Sequence, residues 1–197
     1  MGVKSGIYIG TSGWHYKHWK GTFYPEDIKE KDQLAAYIQT FDTVEINNSF
    51  YRLPESETFV QWRKSVPDHF IFSVKGSRYI THMKKLKEST AALHALLKNA
   101  SGLKEKLGPI LFQLPPGWKM NTQRLEDFLK QLPSHFRFAF EFRNTTWYTE
   151  EVYALLRKYN CAFCIYELDR HTSPIEITSR FCIHTSAWTG RQISGQL

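Results

Sequence analysis

The sequence predicts a parallel α/β fold, because short apolar runs alternate repeatedly with longer amphipathic segments. The apolar runs are almost continuous in hydrophobic residues, which is typical of strands covered on both faces. An open doubly wound sheet and a closed barrel both fit this pattern, although the first run lacks the G-x-G-x-x-G sequence of dinucleotide-binding sheets. The chain has 197 residues. A complete (β/α)₈ barrel typically needs about 250 residues, so a barrel here would be compact or incomplete.

The predicted elements follow one another along the chain with clear boundaries. Acidic residues open the helices that begin at 56 and 149, where they suit the helix macrodipole, and Pro67 closes the first of these. The segment Asn99–Gly102 is expected to break a helix. Strands are predicted at 7–10, 43–46, 70–75, 109–114, 136–142 and 161–166, with a seventh beginning at 181–183. Helices are predicted at 33–41, 56–66, 88–98, 122–132 and 149–159.

Composition places the chain among globular proteins, with 42% hydrophobic and 23% charged residues. No apolar run approaches the roughly 20 residues that span a bilayer, and the first residues lack an apolar signal sequence. We therefore expect a cytoplasmic protein without a membrane partner. The net charge is +7, and eight basic residues lie between Lys75 and Lys106 against two acids. This window is either a solvated basic surface or a patch that attracts phosphate-rich partners.

The cysteines and histidines do not predict a metal or redox site. Cys161 and Cys164 have C-x-x-C spacing, but they lie in a predicted strand, where positions i and i+3 point to opposite faces. We interpret both as buried small residues. The histidines are scattered and lack H-x-x-x-H or H-x-H spacing. The sequence therefore predicts no metal and no cofactor.

Polar residues recur where the predicted strands end. Alternation places Glu45 with Asn47 on one face of the second strand and Glu141 with Arg143 on one face of the fifth, while Lys75 ends the third. Ligands bind at this edge in parallel α/β folds, and a charge within an apolar strand is costly unless it is paired or solvated. Structural ion pairs would explain these residues, but their recurrence at successive strand ends favours a ligand pocket. Other polar residues at these ends are Thr11, Ser12, His15, Gln113, Glu167, Asp169 and Arg170.

Several motifs occur in a fixed order between about Ile7 and Tyr166. They are Gly10-Thr-Ser-Gly-Trp-His-Tyr16 with Trp19, Gly21 and Phe23-Tyr-Pro25; Val44-Glu-Ile-Asn47 with Ser49-Phe-Tyr-Arg52; Phe72-Ser-Val-Lys75; Gly108-Pro-Ile-Leu-Phe-Gln-Leu-Pro-Pro116; and Phe140-Glu-Phe-Arg143 with Trp147. In this order and spacing they resemble the DUF72 (YecE-like) family of unknown function. The resemblance implies a TIM-like (β/α) barrel with these motifs lining its C-terminal mouth, and it implies no settled reaction.

The chain departs from the family pattern after the sixth strand. The family usually continues with an Arg-Leu-His-Gly-like motif, further helices and an eighth strand, whereas here Phe181–Trp188 is followed by a polar tail. We predict one DUF72-like barrel domain over 1–197, with an atypical tail at 184–197 that arose from a frameshift or an early stop. The barrel would have about six to seven strands instead of eight, and its open apolar edge would favour oligomerisation.

Two functions fit the predicted pocket. The first is a hydrolase- or lyase-like enzyme on an anionic, phosphate-bearing or sugar substrate, with Glu45 or Glu141 as general acid or base and His15 as a second proton carrier. The second is a non-catalytic module that binds nucleic acid or another anionic ligand through basic and aromatic residues. The predicted substrate-binding residues are Trp14, Tyr16, Asn47, Tyr51, Arg52, Lys75, Gln113, Arg143 and Trp147.

Overall fold

The computed structural model describes residues 6–168 and 171–187. The chain divides into two compact units, Met1–Phe112 and Gln113–Leu197, which are called unit one and unit two below. Unit one contains strands β1 (Gly10–Thr11), β2 (Thr43–Ile46), β3 (Ile71–Lys75) and β4 (Leu107–Leu114), the last of which ends in unit two. Its helices are α1 (Gln33–Tyr37), α2 (Ser56–Lys64) and α3 (Thr90–Ala100). Neighbouring strands from β1 to β4 pair in parallel.

Strand β1 is shorter than predicted and lies further along the chain. The predicted strand at 7–10 pairs only through Gly10, and the apolar side chains at 7–9 are exposed. Gly10 comes so close to β2 that a Cβ atom there would lie 1.9 Å from the Thr43 carbonyl oxygen. The Tyr37 hydroxyl accepts a hydrogen bond from the Thr11 amide and donates one to the Thr43 carbonyl, which holds β1 in place. The position of β1 thus depends on a contact with α1 that the local sequence does not reveal.

Strands β2 and β3 alternate between buried and half-buried residues. In β3, Phe72 and Val74 are fully buried, whereas Ser73 and Lys75 are half-buried. The expectation that strands are covered on both faces therefore fails here, because the half-buried positions are polar except for Ile71. This alternation is what brings Glu45 and Lys75 to a partly open face.

Helix α3 ends within the predicted break at Asn99–Gly102. It runs to Ala100, and a 3₁₀ turn over Ser101–Lys106 then leads directly into β4. The Lys106 ammonium is buried and donates hydrogen bonds to the carbonyls of Arg63 and Val66, at 2.9 and 2.6 Å. These carbonyls lie at the end of α2, where helix carbonyls lack partners within the helix. One residue of the predicted basic patch thus caps a helix instead of facing solvent.

The segment between β3 and α3 has an unusual backbone that the sequence did not predict. A short π-helix at Tyr79–Met83 is followed by three residues with left-handed φ angles, Lys85 (47°), Leu86 (65°) and Glu88 (48°). Non-glycine residues rarely adopt this conformation. The prediction that this helix begins at Glu88 is therefore wrong, and α3 begins at Thr90. The buried side chain of Leu86 and the hydrogen bond that its backbone N–H donates to the Ile80 carbonyl hold the turn.

Unit two contains strands β5 (Phe138–Phe142), β6 (Ala162–Leu168), β7 (His171–Thr172) and β8 (Ile183–Ala187), and helices α4 (Thr122–Leu129) and α5 (Glu150–Lys158). Strands β5 and β8 each pair in parallel with β6, while β7 pairs with it in antiparallel fashion. Asn121 and Thr149 cap the two helices through their side-chain oxygens. Every residue of β5 is buried, as predicted for a strand covered on both faces.

The end of the described chain differs from the prediction. The seventh strand was expected to begin at 181 and the atypical tail at 184, but β8 occupies Ile183–Ala187 and pairs with β6 over its full length. No strand was predicted beyond Ile183, because the polar residues of β8 do not give the apolar run that predicted the other strands. The two-residue strand β7 was not predicted. Residues 188–197 of the predicted tail lie outside the described residues.

The cysteine prediction is confirmed by burial. Cys161 and Cys164 are buried thiols, and burial raises the pKa of Cys161 to about 12. A thiol with this pKa stays protonated at neutral pH, so Cys161 lacks the thiolate that redox chemistry and metal binding require.

The α/β class is confirmed, and seven described strands run parallel to a neighbour within their unit, as expected for an incomplete TIM-like barrel. No helix within the described residues is long and apolar enough to cross a bilayer.

Candidate functional site

In unit one, Glu45 and Lys75 form an ion pair at the carboxyl ends of β2 and β3. The Lys75 ammonium lies 3.9 Å from Glu45 Oε1, and the two side chains are only 14% and 10% exposed. Among the described residues, Lys75 Nζ donates no hydrogen bond, since 3.9 Å is too long for one. The ammonium also lies 5.4 Å from the centre of the Phe50 ring, within the range of a cation–π contact. The arrangement leaves hydrogen-bond donors available on a mostly buried cation.

The loop after β1 also contacts Glu45. The Ser12 hydroxyl donates a 2.9 Å hydrogen bond to Glu45 Oε1, and the Tyr16 hydroxyl donates to the Ser12 carbonyl. Burial, together with the negative charge of Glu45, raises the pKa of Tyr16. Tyr16 therefore stays protonated at neutral pH and remains a hydrogen-bond donor. Ser12 was recognised as a strand-end residue but was not selected as a site residue.

Ser49 and Phe50 were also missed, although both lie in a quoted motif. The buried Ser49 hydroxyl lies 2.9 Å from the Ile46 carbonyl and 2.7 Å from that of Lys75, so it links the ends of β2 and β3. Phe50 lies against the Lys75 ammonium, and its ring contacts those of Tyr51 and His82. A polar residue immediately after a strand was the available signal for Ser49.

The other predicted residues of unit one differ in exposure and in the partners that they contact. His15 is exposed, and its Nδ1 lies 2.7 Å from the Gln33 side-chain oxygen. Trp14 is buried and packs edge-on against Trp62, so its ring lies in the core of unit one. Asn47 is half-buried, whereas Tyr51 and Arg52 are exposed.

In unit two, Glu141 lies in the centre of a second polar group. It is 2% exposed, and its Oε1 accepts hydrogen bonds from Gln113 Nε2, at 2.9 Å, and from Arg143 Nε. Alternation along β5 places Glu141 and Arg143 on one face, as predicted. Both side chains therefore bind the same carboxylate and hold it in one position.

Arg143 is supported from a second side by aromatic residues. Its guanidinium carbon lies 5.3 Å from the centre of the Tyr166 ring, and the Tyr166 hydroxyl lies 3.0 Å from that of Tyr148. The Tyr148 hydroxyl also donates to the Phe142 carbonyl. Burial and the bond to Tyr166 raise the pKa of Tyr148. Neither tyrosine was predicted as a site residue, because neither belongs to the motif of the fifth strand.

Trp147 is fully buried in unit two. Its indole nitrogen donates to the Trp118 carbonyl at 2.8 Å, and its ring stacks on Phe142 with centres 5.1 Å apart. Trp147 therefore packs beneath the strand that carries Glu141 and Arg143.

The predicted site residues thus form two groups, one in each unit. Within the described residues, no group of three His, Cys, Asp or Glu side chains is arranged to hold a metal ion. The prediction that Glu45 and Glu141 serve one ligand stays a prediction. The strand-end residues Asp169 and Arg170 lie outside the described residues.

Comparison with known proteins identifies the family. The model of the family described as "Protein of unknown function DUF72" matches residues 8–188. The chain belongs to the DUF72 family. The match includes every motif that carried the resemblance, and it confirms that resemblance.

The curated relatives of this DUF72 chain are uncharacterised proteins that are longer than it. The UPF0759 protein YecE of Escherichia coli strain K12 is 28% identical over 145 residues, which cover 73% of this chain and 51% of YecE. The UPF0759 protein YunF of Bacillus subtilis strain 168 is 29% identical over 156 residues, which cover 75% of this chain and 54% of YunF. The chain therefore spans about half the length of the curated relatives it matches.

Solved DUF72 structures share the fold. A DUF72 family protein from Thermotoga maritima MSB8 has a TM-score of 0.80 and 29% sequence identity, with 94% of this chain and 75% of that chain covered. A second, from Enterococcus faecalis V583, has a TM-score of 0.69 and 20% identity, with 84% and 72% covered. The likeness to the Thermotoga protein supports the predicted TIM-like fold.

Proposed function

We propose that this DUF72 chain carries the site of an acid/base enzyme that acts on a small anionic, phosphate-bearing substrate. Lys75 holds the anion, and Glu45 transfers the proton in a hydrolase- or lyase-like reaction. The observation that carries the proposal is the Glu45–Lys75 pair, in which a mostly buried ammonium lies 3.9 Å from its carboxylate and donates no hydrogen bond to any described residue. An oxyanion that bound there would supply the missing acceptors.

Glu45 suits proton transfer better than Glu141. Glu141 is 2% exposed and accepts two hydrogen bonds at one oxygen, so its carboxylate is fixed as an acceptor. Glu45 is more accessible, and its contact with Lys75 is longer than a hydrogen bond. Ser12 and the protonated Tyr16 keep the carboxylate oriented while leaving it within reach of a ligand. His15 and Asn47, which also belong to unit one, remain predicted members of this site.

A thermal-shift screen against phosphorylated metabolites and sugars tests this proposal. A ligand that binds the native state raises the melting temperature, by an amount that corresponds to about 2.7 kcal/mol at 100 times its Kd. We expect a phosphorylated compound to stabilise the chain and Lys75→Met to abolish this effect, since the variant removes the cation. Glu45→Gln should keep binding but lower turnover of that compound by at least about 100-fold.

Lys87→Met and Glu88→Gln are the matched controls, because these residues form an exposed ion pair 3.4 Å apart in the same unit. Both controls should bind and react like the parent chain. Unchanged ligand binding in Lys75→Met would contradict the role of Lys75, and unchanged turnover in Glu45→Gln would contradict the role of Glu45.

Binding of single-stranded nucleic acid is the second candidate function, and the exposed aromatic and basic residues of unit one favour it. Tyr51 and Tyr79 are exposed, and the Lys84 ammonium lies 5.7 Å from the centre of the Tyr79 ring. Base stacking on such rings, with basic side chains on the phosphates, is the usual mode of single-strand binding. Affinity for a short oligonucleotide should then fall steeply with salt and fall further in Tyr79→Ala. An affinity that is independent of salt would rule out this candidate.

A further inference from the structure

We infer that unit two carries an oxyanion-binding site of its own, in which the outer edge of the Arg143 guanidinium binds two oxygens of a phosphate or carboxylate group. The inference uses only residues of unit two, and it does not depend on the reaction proposed for Glu45 and Lys75. It rests on the hydrogen bonds that Arg143 makes, on the contacts that hold it and on the geometry of the edge it leaves open.

Among the described residues, the Arg143 guanidinium uses only one of its hydrogen-bond donors. A guanidinium has five N–H donors in a fixed plane, one on Nε and four on the two Nη atoms. Nε donates to Glu141, whereas no described residue accepts a hydrogen bond from either Nη atom. The side chain is 24% exposed, so its open edge is partly removed from bulk water yet accessible. Four donors in such a position are available to a ligand.

Glu141 holds the inner edge of the guanidinium. The carboxylate is 2% exposed and is itself fixed by Gln113, so it cannot follow the arginine into solvent. Because the opposite charges of Glu141 and Arg143 balance, burying the pair costs less free energy than burying an isolated charge. Glu141 is therefore a positioning residue that aims Arg143, and the Nη atoms are the binding atoms.

The Tyr166 ring holds one face of the same guanidinium, with the guanidinium carbon 5.3 Å from the ring centre. The ring is fixed by its hydroxyl, because Tyr148 gives its only proton to the Phe142 carbonyl and must accept one from Tyr166. By the same count, His171 Nε2, 3.2 Å from the Tyr148 hydroxyl, acts as a donor. An arginine held along one edge and one face loses little further freedom when it binds.

The open edge selects the chemistry of the ligand. Two parallel N–H groups match two oxygens on a single atom, as in a phosphate group or a carboxylate. A lysine ammonium in the same place would act as a point charge and lose this match. The ligand class is thus an oxyanion that offers two coplanar oxygens.

Titration of the full chain with inorganic phosphate and, separately, with acetate tests the inference by calorimetry. We expect at least one of the two anions to bind and Arg143→Lys to raise its Kd by at least about tenfold, since the charge stays and the paired donors are lost. Arg180→Lys is the matched control, because Arg180 is an exposed arginine of the same unit. The Kd of the anion should be the same for this variant as for the parent chain. Phosphate binding and acetate binding would point to a phosphorylated and a carboxylated ligand, respectively.

A second readout keeps the test valid if Arg143→Lys unfolds the site. In the parent chain, the ¹⁵N and ¹H resonances of the Arg143 Nη groups should shift on addition of the anion, while those of Arg180 should not. Absence of anion binding to the parent chain, equal affinity of Arg143→Lys, or no response of the Nη resonances would overturn the inference. Anion binding that survives Arg143→Lys but is lost in Lys75→Met would overturn it while leaving the proposed function intact.

Discussion

Burial determines the chemistry of the three cysteines. Cys161 and Cys164 are buried, and burial raises the pKa of Cys161 to about 12, whereas Cys182 is exposed. At pH 8 the Cys161 thiol is almost entirely protonated and shielded from reagents. We expect iodoacetamide to modify Cys182 at least ten times faster than Cys161, as measured by peptide mass spectrometry.

Denaturation in guanidinium chloride provides the control for this experiment, because all three thiols should then react at similar rates. Equal modification of Cys161 and Cys182 in the native chain would show that the start of β6 is not buried as described.

Sequence alone could identify the charged residues of the site but could not rank them. Glu45 and Glu141 were selected by the same argument, namely a carboxylate near the end of an apolar strand. Their difference comes from tertiary partners: Glu141 is fixed by Gln113, 28 positions earlier in the chain, whereas Glu45 accepts from Ser12 and lies 3.9 Å from Lys75. The arginine partner of Glu141 was predictable, because residues two apart on a strand share a face.

The predicted elements were most accurate where local signals are strong. Strand β2 was predicted with its observed bounds, and α5 was predicted to within one residue at each end because acidic residues and the Thr149 cap mark its start. Predictions failed where a distant contact decides the outcome, as at β1, which depends on Tyr37. The π-helix at Tyr79–Met83 has no local sequence signal that we recognised.

The buried ammonium of Lys106 leads to a prediction for α2. Lys106→Met removes the donor to the carbonyls of Arg63 and Val66 and leaves both carbonyls without it at the end of the helix. Hydrogen bonds to charged groups contribute about 1.5–3 kcal/mol, so the free energy of unfolding should fall by roughly this amount. Urea denaturation followed by circular dichroism measures the change.

Lys98→Met is the matched control, because Lys98 is an exposed lysine of α3 and its replacement should change stability by less than about 0.5 kcal/mol. If both variants have the same denaturation midpoint as the parent chain, Lys106 does not cap α2.

At the scale of the whole molecule, the sequence predicts the net charge of +7. It does not predict which basic side chains bind within the fold and which face solvent. One member of the predicted basic window, Lys106, binds within the fold instead of facing solvent. Arg78, Lys87, Lys98 and Lys104 remain exposed. The electrostatic attraction for phosphate-rich partners is therefore weaker than the formal count indicates.

From the exposed apolar residues before β1 we predict that the chain self-associates. Within the described residues β1 pairs only with β2, and Ile7, Tyr8 and Ile9 precede it with Ile9 69% exposed. An apolar segment beside an unpaired strand edge is a site where another chain can add. We expect Ile9→Lys either to lower the number of chains in the assembly or to raise the concentration at which half of the chains associate by about tenfold or more. Light scattering at increasing protein concentration measures both quantities.

Ile177→Lys is the control for this prediction, since Ile177 is 59% exposed and lies outside the described strands. A chain that stays monomeric at all concentrations, or an equal response to both substitutions, would contradict association through this segment.

Strain at Lys85 and Leu86 bears on how this segment can change during evolution. A left-handed backbone costs a non-glycine residue about 1–2 kcal/mol, which glycine would avoid. At Leu86 the buried side chain offsets that cost, so glycine would gain nothing. Lys85 is only half-buried, and mutation to glycine there would be tolerated or even stabilising. Retention of a lysine at position 85 would therefore require that its side chain contributes enough, through charge or packing, to offset this strain.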